Sequence, residues 1–580
     1  MSLLRRAAFP SLFVLGAAGV LLACGAGGQG QAQTDAKAAA CVGDNGGLAL
    51  PPGFCATVFA DNLGHVRHIA AGPDGTIYAN SWGGAYYPGS KSPEGGFLMA
   101  VKDTNGDGVS DQTARFGETE ADGAKGGTGV GVYKGFVYAE VNDRIVRYPL
   151  KAGEFAPQAK PQVVVSGLPL GGNHPMHPFV IDPKGQLFID MGSATNACQA
   201  KDRAPGVAGN DPCTELETRA GIWRYDANKL GQVFSPKERY ATGNRNGEGL
   251  AYDAQGRVFA TQHGRDQLPG LWPKLYPDPI AGAELPSEVL VQLKEGGDYG
   301  WPYCYHDGVK LVLAPEYGGD GGKAVGRCAD KDPPVAAFPA HWAPNALAIY
   351  TAKQFPAAYR GGAFIAFHGS WNRAPAPQAG YNVVFQPLKD GKSAGDWVVF
   401  ADGFVGAKKD PGKAEHRPMG LTVGPDGALY IADDVKGRIW RVTWQGGAGP
   451  VKPQAAVMPA SVAAPTATIE TGGVSVPPGS TAAEVALGER IYRGQAAGGT
   501  CAGCHGADAK GSPLGPDLTS GTWAWSDGSV EGLSAVIAKG VAEPKRYRSL
   551  MPPMGGATLS PAELKAVSSY VWSISHPAKN

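Results

Sequence analysis

Apolar and polar residues alternate along most of this chain in short runs broken by tight turns. Between residues 41 and 445 one unit recurs: an apolar strand, an Asp-Gly or Lys-Gly turn, and a second apolar strand. The clearest copies are Gly72-Pro73-Asp74-Gly75-Thr76-Ile77-Tyr78, Asp182-Pro183-Lys184-Gly185-Gln186-Leu187-Phe188, Asp253-Ala254-Gln255-Gly256-Arg257-Val258-Phe259 and Gly424-Pro425-Asp426-Gly427-Ala428-Leu429-Tyr430. Weaker copies lie at Lys134-Gly135-Phe136-Val137-Tyr138 and Arg360-Gly361-Gly362-Ala363-Phe364. A third alternating stretch follows each, at 97–101, 144–148, 221–225, 289–293, 382–385 and 438–442. Period-two alternation marks strands. Copies of an antiparallel unit that cannot bury its own faces predict a ring, here a six-bladed β-propeller over 41–445. Residues 55–63 are a spare strand placed to complete the last blade and remove its open edge.

The pattern changes after Trp444. Residues 446–480 are Gly, Pro, Ala and Thr with few charges, which predicts a semi-extended interdomain linker. Beyond it the apolar period is helical. Thr481-Ala482-Ala483-Glu484 and Ser560-Pro561-Ala562-Glu563 are capping boxes, the first opening a helix through Tyr492. Leu564, Val567, Tyr570, Val571 and Ile574 form an apolar stripe. The expected fold class is an all-β six-bladed β-propeller plus a small all-α domain at 481–580.

The N-terminus reads as a targeting segment. Arg5 and Arg6 precede an apolar run at 12–20, and Leu21-Leu22-Ala23-Cys24 resembles a bacterial lipoprotein box. Residues 1–23 are then a removed signal peptide, Cys24 carries lipid, and 24–40 is a tether. The alternative is ordinary signal cleavage near Ala32. No other stretch is apolar and long enough to span a bilayer. The expected location is an exported, periplasm-facing or cell-surface lipoprotein held to a bacterial membrane.

Composition adds three constraints. Lys+Arg and Asp+Glu are both 52, so nothing electrostatic points to nucleic acid. Glycine, 86 of 580 residues without a collagen period, fits many turns and short strands. Of the nine cysteines, six fall in local pairs suited to an oxidising compartment: Cys41 with Cys55, Cys198 with Cys213, and Cys304 with Cys328.

Cys501-Ala502-Gly503-Cys504-His505 reads as a c-type haem attachment site. The thiols of Cys501 and Cys504 add to the haem vinyl groups, and His505 ligates the iron. A redox dithiol or half a zinc site would use the same spacing, but a second cysteine pair for zinc is absent. Helix, haem motif, loop and helix is the order of a small class I cytochrome c. Met551, in Met551-Pro552-Pro553-Met554-Gly555, is the expected sixth ligand, with Met554 the other candidate. Leu514-Gly515-Pro516-Asp517-Leu518 resembles the loop whose proline carbonyl orients the proximal histidine.

Propeller geometry predicts a second site. Residues just before each inner strand and just after each second strand share one rim of the central channel. His174 lies nine positions before Pro183, Arg245 nine before Ala254, and Arg417 eight before Pro425. His263-Gly264-Arg265 and His368-Gly369-Ser370-Trp371-Asn372-Arg373 follow second strands. Arginines converging there suit a polycarboxylate ligand, and a histidine suits a general base.

Several of these runs resemble a known family. Asn173-His174, Met191-Gly192-Ser193, Asn244-Arg245-Asn246-Gly247-Glu248-Gly249-Leu250 and Gly297-Asp298-Tyr299-Gly300-Trp301-Pro302-Tyr303 are similar to soluble glucose dehydrogenases dependent on pyrroloquinoline quinone (PQQ). Tyr359-Arg360-Gly361-Gly362 and 368–373 are closer to the sorbosone and pyranose dehydrogenases of that superfamily. The resemblance implies that His174 is the catalytic base and that Arg245, Asn246, Trp371 or Arg373, and Arg417 contact the quinone. The carbonyls of Gly264 and Arg265 would hold calcium, and Asn173, Tyr299 and Trp301 would line the sugar pocket. It implies oxidation of a sugar or related alcohol by hydride transfer to PQQ, with electrons passed to haem c and on to an external acceptor.

Two other readings compete: a non-catalytic haem lipoprotein with a propeller docking module, and a propeller lactonase or other hydrolase. No dinucleotide fingerprint appears on a strand–helix unit. Asp103, Asn105, Asp107 and Asp111 match part of a calcium loop, but position 12 is Ala114, so a plain acidic turn is the alternative. His306 and the Lys408-Lys409 pair read as surface residues.

Overall fold

The computed structural model describes residues 41–576 apart from 42, 84–90, 375, 407–408, 410–411, 448–450, 457–474, 495, 498–500, 507, 512–514, 542–543, 545–550 and 558. Cys24 with its signal segment and tether, the middle of the 446–480 linker, Lys408 and Leu514 lie outside the described residues.

Six sheets follow one another along the chain, each antiparallel through its four blade strands, with a short parallel strand added at the edge of blades two and three. Blade one is His65–Ala71, Ile77–Trp82, Leu98–Lys102 and Gln112–Phe116. Blade two is Val130–Tyr133, Phe136–Val141, Arg144–Pro149 and Gln162–Ser166. Blade three is Phe179–Ile181, Gln186–Met191, Gly221–Asp226 and Arg239–Thr242. Blade four is Leu250–Tyr252, Val258–Gln262, Glu288–Gln292 and Ala336–Phe338. Blade five is Pro344–Ile349, Ala363–Phe367, Asn382–Gln386 and Val398–Ala401. Blade six is Pro418–Val423, Leu429–Asp433 and Ile439–Trp444, closed on its outside by Phe54–Ala60 from the start of the chain.

The recurring turn explains the regularity. Asp182 Oδ1 accepts from the N–H of Lys184 and of Gln186 at 2.9 and 2.8 Å, and Gly185 takes φ +87°, a region open to glycine. Inner and second strands are thereby locked in register. Neighbouring blades pack through large rings: Tyr78 of blade one meets Phe116, which meets Tyr148 of blade two. Phe54 in the closing strand is edge-on to Phe355 and Phe400, at 4.8 and 4.9 Å between centroids. Closure thus rests on buried aromatic area as well as on strand pairing. All three expected disulfides are present, and Cys41–Cys55 ties the chain start to the closing strand.

The C-terminal domain holds helices Ala482–Tyr492, Cys501–His505, Val530–Lys539 and Pro561–Ser575, with both capping boxes formed. Val567, Tyr570 and Val571 are buried, as the stripe predicts. The first and last helices cross closely because Gly488 has no side chain: a Cβ there would sit 2.0 Å from the Ala566 carbonyl. The start of the linker lies on blade five, where the Ala456 N–H donates to the Val399 carbonyl at 2.7 Å.

One surface expectation changes. His306 is buried in a short hairpin strand, Cys304–His306, because that hairpin packs over blade four, where Ser287 N–H donates to the His306 carbonyl. In the Asp103–Asp111 loop the oxygens cap the loop's own N–H groups. Asp103 accepts from Gly106 and Gly108, Asn105 from Asp107, Asp107 from Val109, and Asp111 from Thr104. The turn is held by its own side chains. Among the described residues no three His, Cys, Asp or Glu side chains gather as a metal site.

Candidate active site

A cavity of about 1280 Å³ opens at one mouth of the ring and runs on into the C-terminal domain. The rim positions supply its propeller side. His174, Arg245, Asn246 and Arg417 enter from before inner strands, and His263, Gly264, His368, Trp371 and Asn372 from after second strands. The strand register alone therefore brings together residues from blades three to six.

His174 is set for one tautomer. Its Nδ1 lies 3.0 Å from both the carbonyl and the Oγ of Ser193, and that Oγ donates its own proton to the Thr195 carbonyl. Nδ1 must then be the donor, leaving the Nε2 lone pair available as a base. Burial, then Arg245 and His263, hold its pKa well below 6.5, so the ring is neutral near pH 7. Gly192 makes room: a Cβ there would sit 2.5 Å from His174 Cβ and 3.0 Å from Asn246 Oδ1. Asn173 lines the cavity beside it and donates to Asp202 at 3.1 Å.

Two buried carboxylates organise the arginines. Asp266 accepts from Arg203 at 2.8 Å, Arg245 at 3.0 Å and Asn372 at 2.6 Å. Burial would raise its pKa, but Arg245 and Arg203 hold it far below the usual carboxylate range. Asp434 accepts from Arg67 and lies 2.8 Å from His368 Nε2. Arg417 commits its Nε and one Nη to the His368 and Gly369 carbonyls at 3.0 and 2.8 Å, which leaves guanidinium donors for a ligand. Glu248 and Glu288 also line the cavity, and burial pushes them up to about 7 and about 8. Arg67 lies inside the inner strand His65–Ala71 rather than ahead of it, outside the reach of the rim rule, and Asp266 and Asp434 are acids where that rule pointed to cations and bases. Asp266 and Asp434 both follow second strands, so the same register rule reaches them.

Four expected site residues are not among those lining the cavity. Tyr299 is buried with its hydroxyl donating to the Gln292 carbonyl at 2.7 Å, and Trp301 is buried with its indole donating to the Asn196 carbonyl at 3.0 Å. Both are packed behind the cavity rather than in it. The Arg373 guanidinium turns away to the Ala283, Ala340 and Pro377 carbonyls and to Glu284, which joins loops. The Arg265 side chain pairs with Glu316. Of the Trp371 or Arg373 alternatives, only Trp371 faces the cavity.

The other end of the same cavity is lined by Cys501, Cys504, His505 and Met551. His505 Nδ1 is 3.0 Å from the Pro516 carbonyl, so it donates there and leaves Nε2 for iron. The walls, including Leu533, Ile537, Val567 and Val571, are apolar, as a porphyrin needs. Met554 does not line this space, and its sulfur instead accepts from Leu559 N–H at 3.4 Å. The donor set fits a thioether-linked haem with one imidazole and one thioether ligand.

Residues 48–445 match the family described as TrAA12-like. The chain belongs to the TrAA12-like family. Residues 483–571 match the family described as cytochrome C oxidase, cbb3-type, subunit III. The TrAA12-like fold of this chain is similar to the iodide structure of a Trichoderma reesei carbohydrate-active enzyme of family AA12, at 16% identity and TM-score 0.55, covering 69% of this chain and 98% of that one. It is also similar to the holo form of the pyranose dehydrogenase PQQ domain of Coprinopsis cinerea, at 18% identity and TM-score 0.51, covering 68% and 97%. Among curated sequences, an uncharacterised Borreliella burgdorferi protein is 28% identical over 211 residues, 36% of this chain and 49% of that one. A cbb3-type cytochrome c oxidase subunit FixP of Rhizobium etli is 34% identical over 79 residues, 13% of this chain and 27% of that one. The chain thus spans half or less of these curated relatives. One chain thus carries a TrAA12-like propeller followed by a domain that matches a cytochrome family.

The propeller end of the cavity fits a quinone polycarboxylate. Arg67, Arg245 and Arg417 line it, and the buried His263 Nε2 there has no hydrogen-bond partner among the described residues. The Gly264 carbonyl accepts from Arg245 Nη1 at 2.8 Å. A calcium ion on that oxygen would share it with a guanidinium, so the ligand's own carboxylates would have to supply the negative charge.

Proposed function

We propose that the chain oxidises a sugar (an aldose or a sorbosone-like sugar) or a related alcohol at the propeller mouth and sends the electrons out through its own haem c. PQQ, when bound, supplies the two-electron hydride acceptor, and haem c the one-electron carrier. The protein's part is binding, orientation and proton transfer. His174 Nε2 accepts the hydroxyl proton of the substrate, its ring steadied by the bond from Nδ1 to Ser193. Arg67, Arg245 and Arg417 bind ligand carboxylates, with Asp266 and Asp434 fixing two of those guanidinium planes. Asn173 and Asn246 offer hydrogen bonds beside His174, and Trp371 offers an aromatic face. Calcium at Gly264 and Arg265 belongs to this reading as a partner of the bound quinone.

The observation that carries the reading is the single cavity with a neutral, oriented histidine at one end and the haem ligands at the other. Asp266 is committed to Arg203 and Arg245, and Asp434 to Arg67, which neutralises the carboxylates a hydrolytic metal would need and disfavours the hydrolase reading. The three disulfides support an exported protein, and a lipid on Cys24 would hold it at a membrane surface. An external one-electron acceptor completes the turnover.

The test is haem reduction. The full chain, loaded with haem, is reconstituted with PQQ and calcium and mixed with a panel of aldoses and alcohols. Substrate-dependent reduction that His174→Ala abolishes supports the reading. No reduction with any substrate, with the variant identical to wild type, favours the docking-module reading.

A further inference from the structure

The haem motif and the propeller touch at a point that haem attachment does not require. In Cys501-Ala502-Gly503-Cys504-His505 the two middle residues carry no haem chemistry. Glycine in a helix costs about 1 kcal/mol relative to alanine, yet Gly503 stands inside the helix Cys501–His505. Its reason is outside the domain. A Cβ on Gly503 would sit 2.1 Å from the carbonyl oxygen of Trp371, in the loop after the second strand of blade five. Backbone meets backbone there, and no flexible side chain can yield.

Three other observations converge on the same contact. Asp508, just past the haem motif, forms an ion pair with Lys413, on the loop ahead of blade six. The linker's first residues are tied to blade five through Ala456 and Val399, which shortens the tether. The cavity is continuous from His174 and Arg245 to Cys504 and His505. Trp371 lines that cavity while its carbonyl meets the haem helix.

We infer that the helix Cys501–His505 and Asp508 seat on the 368–373 loop and on Lys413, and that this seat sets the rate at which the haem takes electrons from the propeller. The inference rests on the dehydrogenase reading above and adds the docking surface to it. Oxidation of one alcohol group releases two electrons and two protons. A haem held by Cys501, Cys504, His505 and Met551 would take those electrons one at a time, each going on to an external one-electron carrier before the next, so the seat would be crossed twice per turnover. Gly503 and the Lys413–Asp508 pair are positioning residues.

The experiment has a structural arm and a kinetic arm. On the full haem-loaded chain without quinone, a water-soluble carbodiimide condenses Lys413 with Asp508, and the linked peptides are found by mass spectrometry. No link between Asp508 and the propeller overturns the inference. In the reconstituted chain, Gly503→Leu slows substrate-driven haem reduction in stopped flow by about tenfold or more. Turnover with a soluble dye that takes electrons directly from the quinone, the haem spectrum and the haem potential all stay at wild-type values. Haem reduction at the wild-type rate in that variant overturns the inference. Asp508→Lys, which leaves Gly503 intact, slows haem reduction about two- to fivefold at low salt. Adding Lys413→Asp restores it, and failure of that rescue also counts against the seat. Wild type that reduces neither dye nor haem overturns the dehydrogenase reading, while the cross-link still reports on the seat.

Discussion

Asp266 is the carboxylate on which two buried guanidinium groups depend, and Asp266→Asn removes its charge with little change of shape. Arg203 and Arg245 approach it at 2.8 and 3.0 Å, with its side chain only 12% exposed. Removing one partner of a buried ion pair costs about 3–5 kcal/mol. Asparagine keeps an acceptor oxygen, so the lower end, about 3 kcal/mol, applies. Closure of the ring by the Phe54–Ala60 strand predicts that residues 48–445 unfold as one unit. At ~2.1 cal/mol/K per residue its unfolding entropy is ~0.8 kcal/mol/K, so the midpoint falls by ~4 °C. The assay is thermal unfolding at pH 7 followed by near-ultraviolet circular dichroism. The pH dependence is a second check. The folded pKa of Asp266 lies below its unfolded value, so its contribution is complete above the ordinary carboxylate range and is lost as pH falls through and below that range. The gap between the two proteins is therefore constant from neutral pH to about pH 5 and starts to narrow near pH 4. A midpoint within 1 °C of wild type, or a gap that closes between pH 6 and 5, refutes the reasoning.

Other consequences follow from the same geometry. His174→Ala lowers substrate-driven haem reduction by roughly 10²–10⁴-fold with the haem spectrum unchanged. In wild type the acid limb of kcat/KM lies below pH 6.5, because burial and Arg245 keep His174 neutral to lower pH. A limb at or above 6.5 would contradict that. Met551→Ala abolishes the methionine–iron charge-transfer band and lowers the haem potential, whereas Met554→Ala keeps the band, since the Met554 sulfur faces Leu559 N–H. Replacing Cys41 and Cys55 together by alanine destabilises the propeller by about 3 kcal/mol in chemical denaturation, by freeing the chain start beside the closing strand.

Local chemistry was legible in the sequence. Strand alternation and Asp-Gly turns depend on neighbours a few residues apart, so the six blades, the closing strand and both capping boxes could be read directly. The three disulfides join cysteines 14, 15 and 24 residues apart, and the haem motif is contiguous. Even the active-site rim was reachable, because a propeller turns a position within each repeat into a position in space. That rule brought His174, Arg245, His368 and Arg417 to one cavity.

Tertiary structure decided where side chains point and what closes over them. Tyr299, Trp301 and Arg373 lie in runs that look like site motifs, yet their polar atoms are taken by Gln292, Asn196 and the Ala283 and Ala340 carbonyls. No periodicity predicts such pairings, since Asn196, Ala283 and Ala340 lie in other segments of the fold and Gln292 reaches Tyr299 only where the chain doubles back after its strand. The Asp266 and Asp434 clusters arise the same way: buried charges must find partners wherever the fold brings them. The approach of Gly503 to Trp371 is the extreme case. A missing side chain leaves no pattern in one dimension, and only two packed backbones show why it is missing.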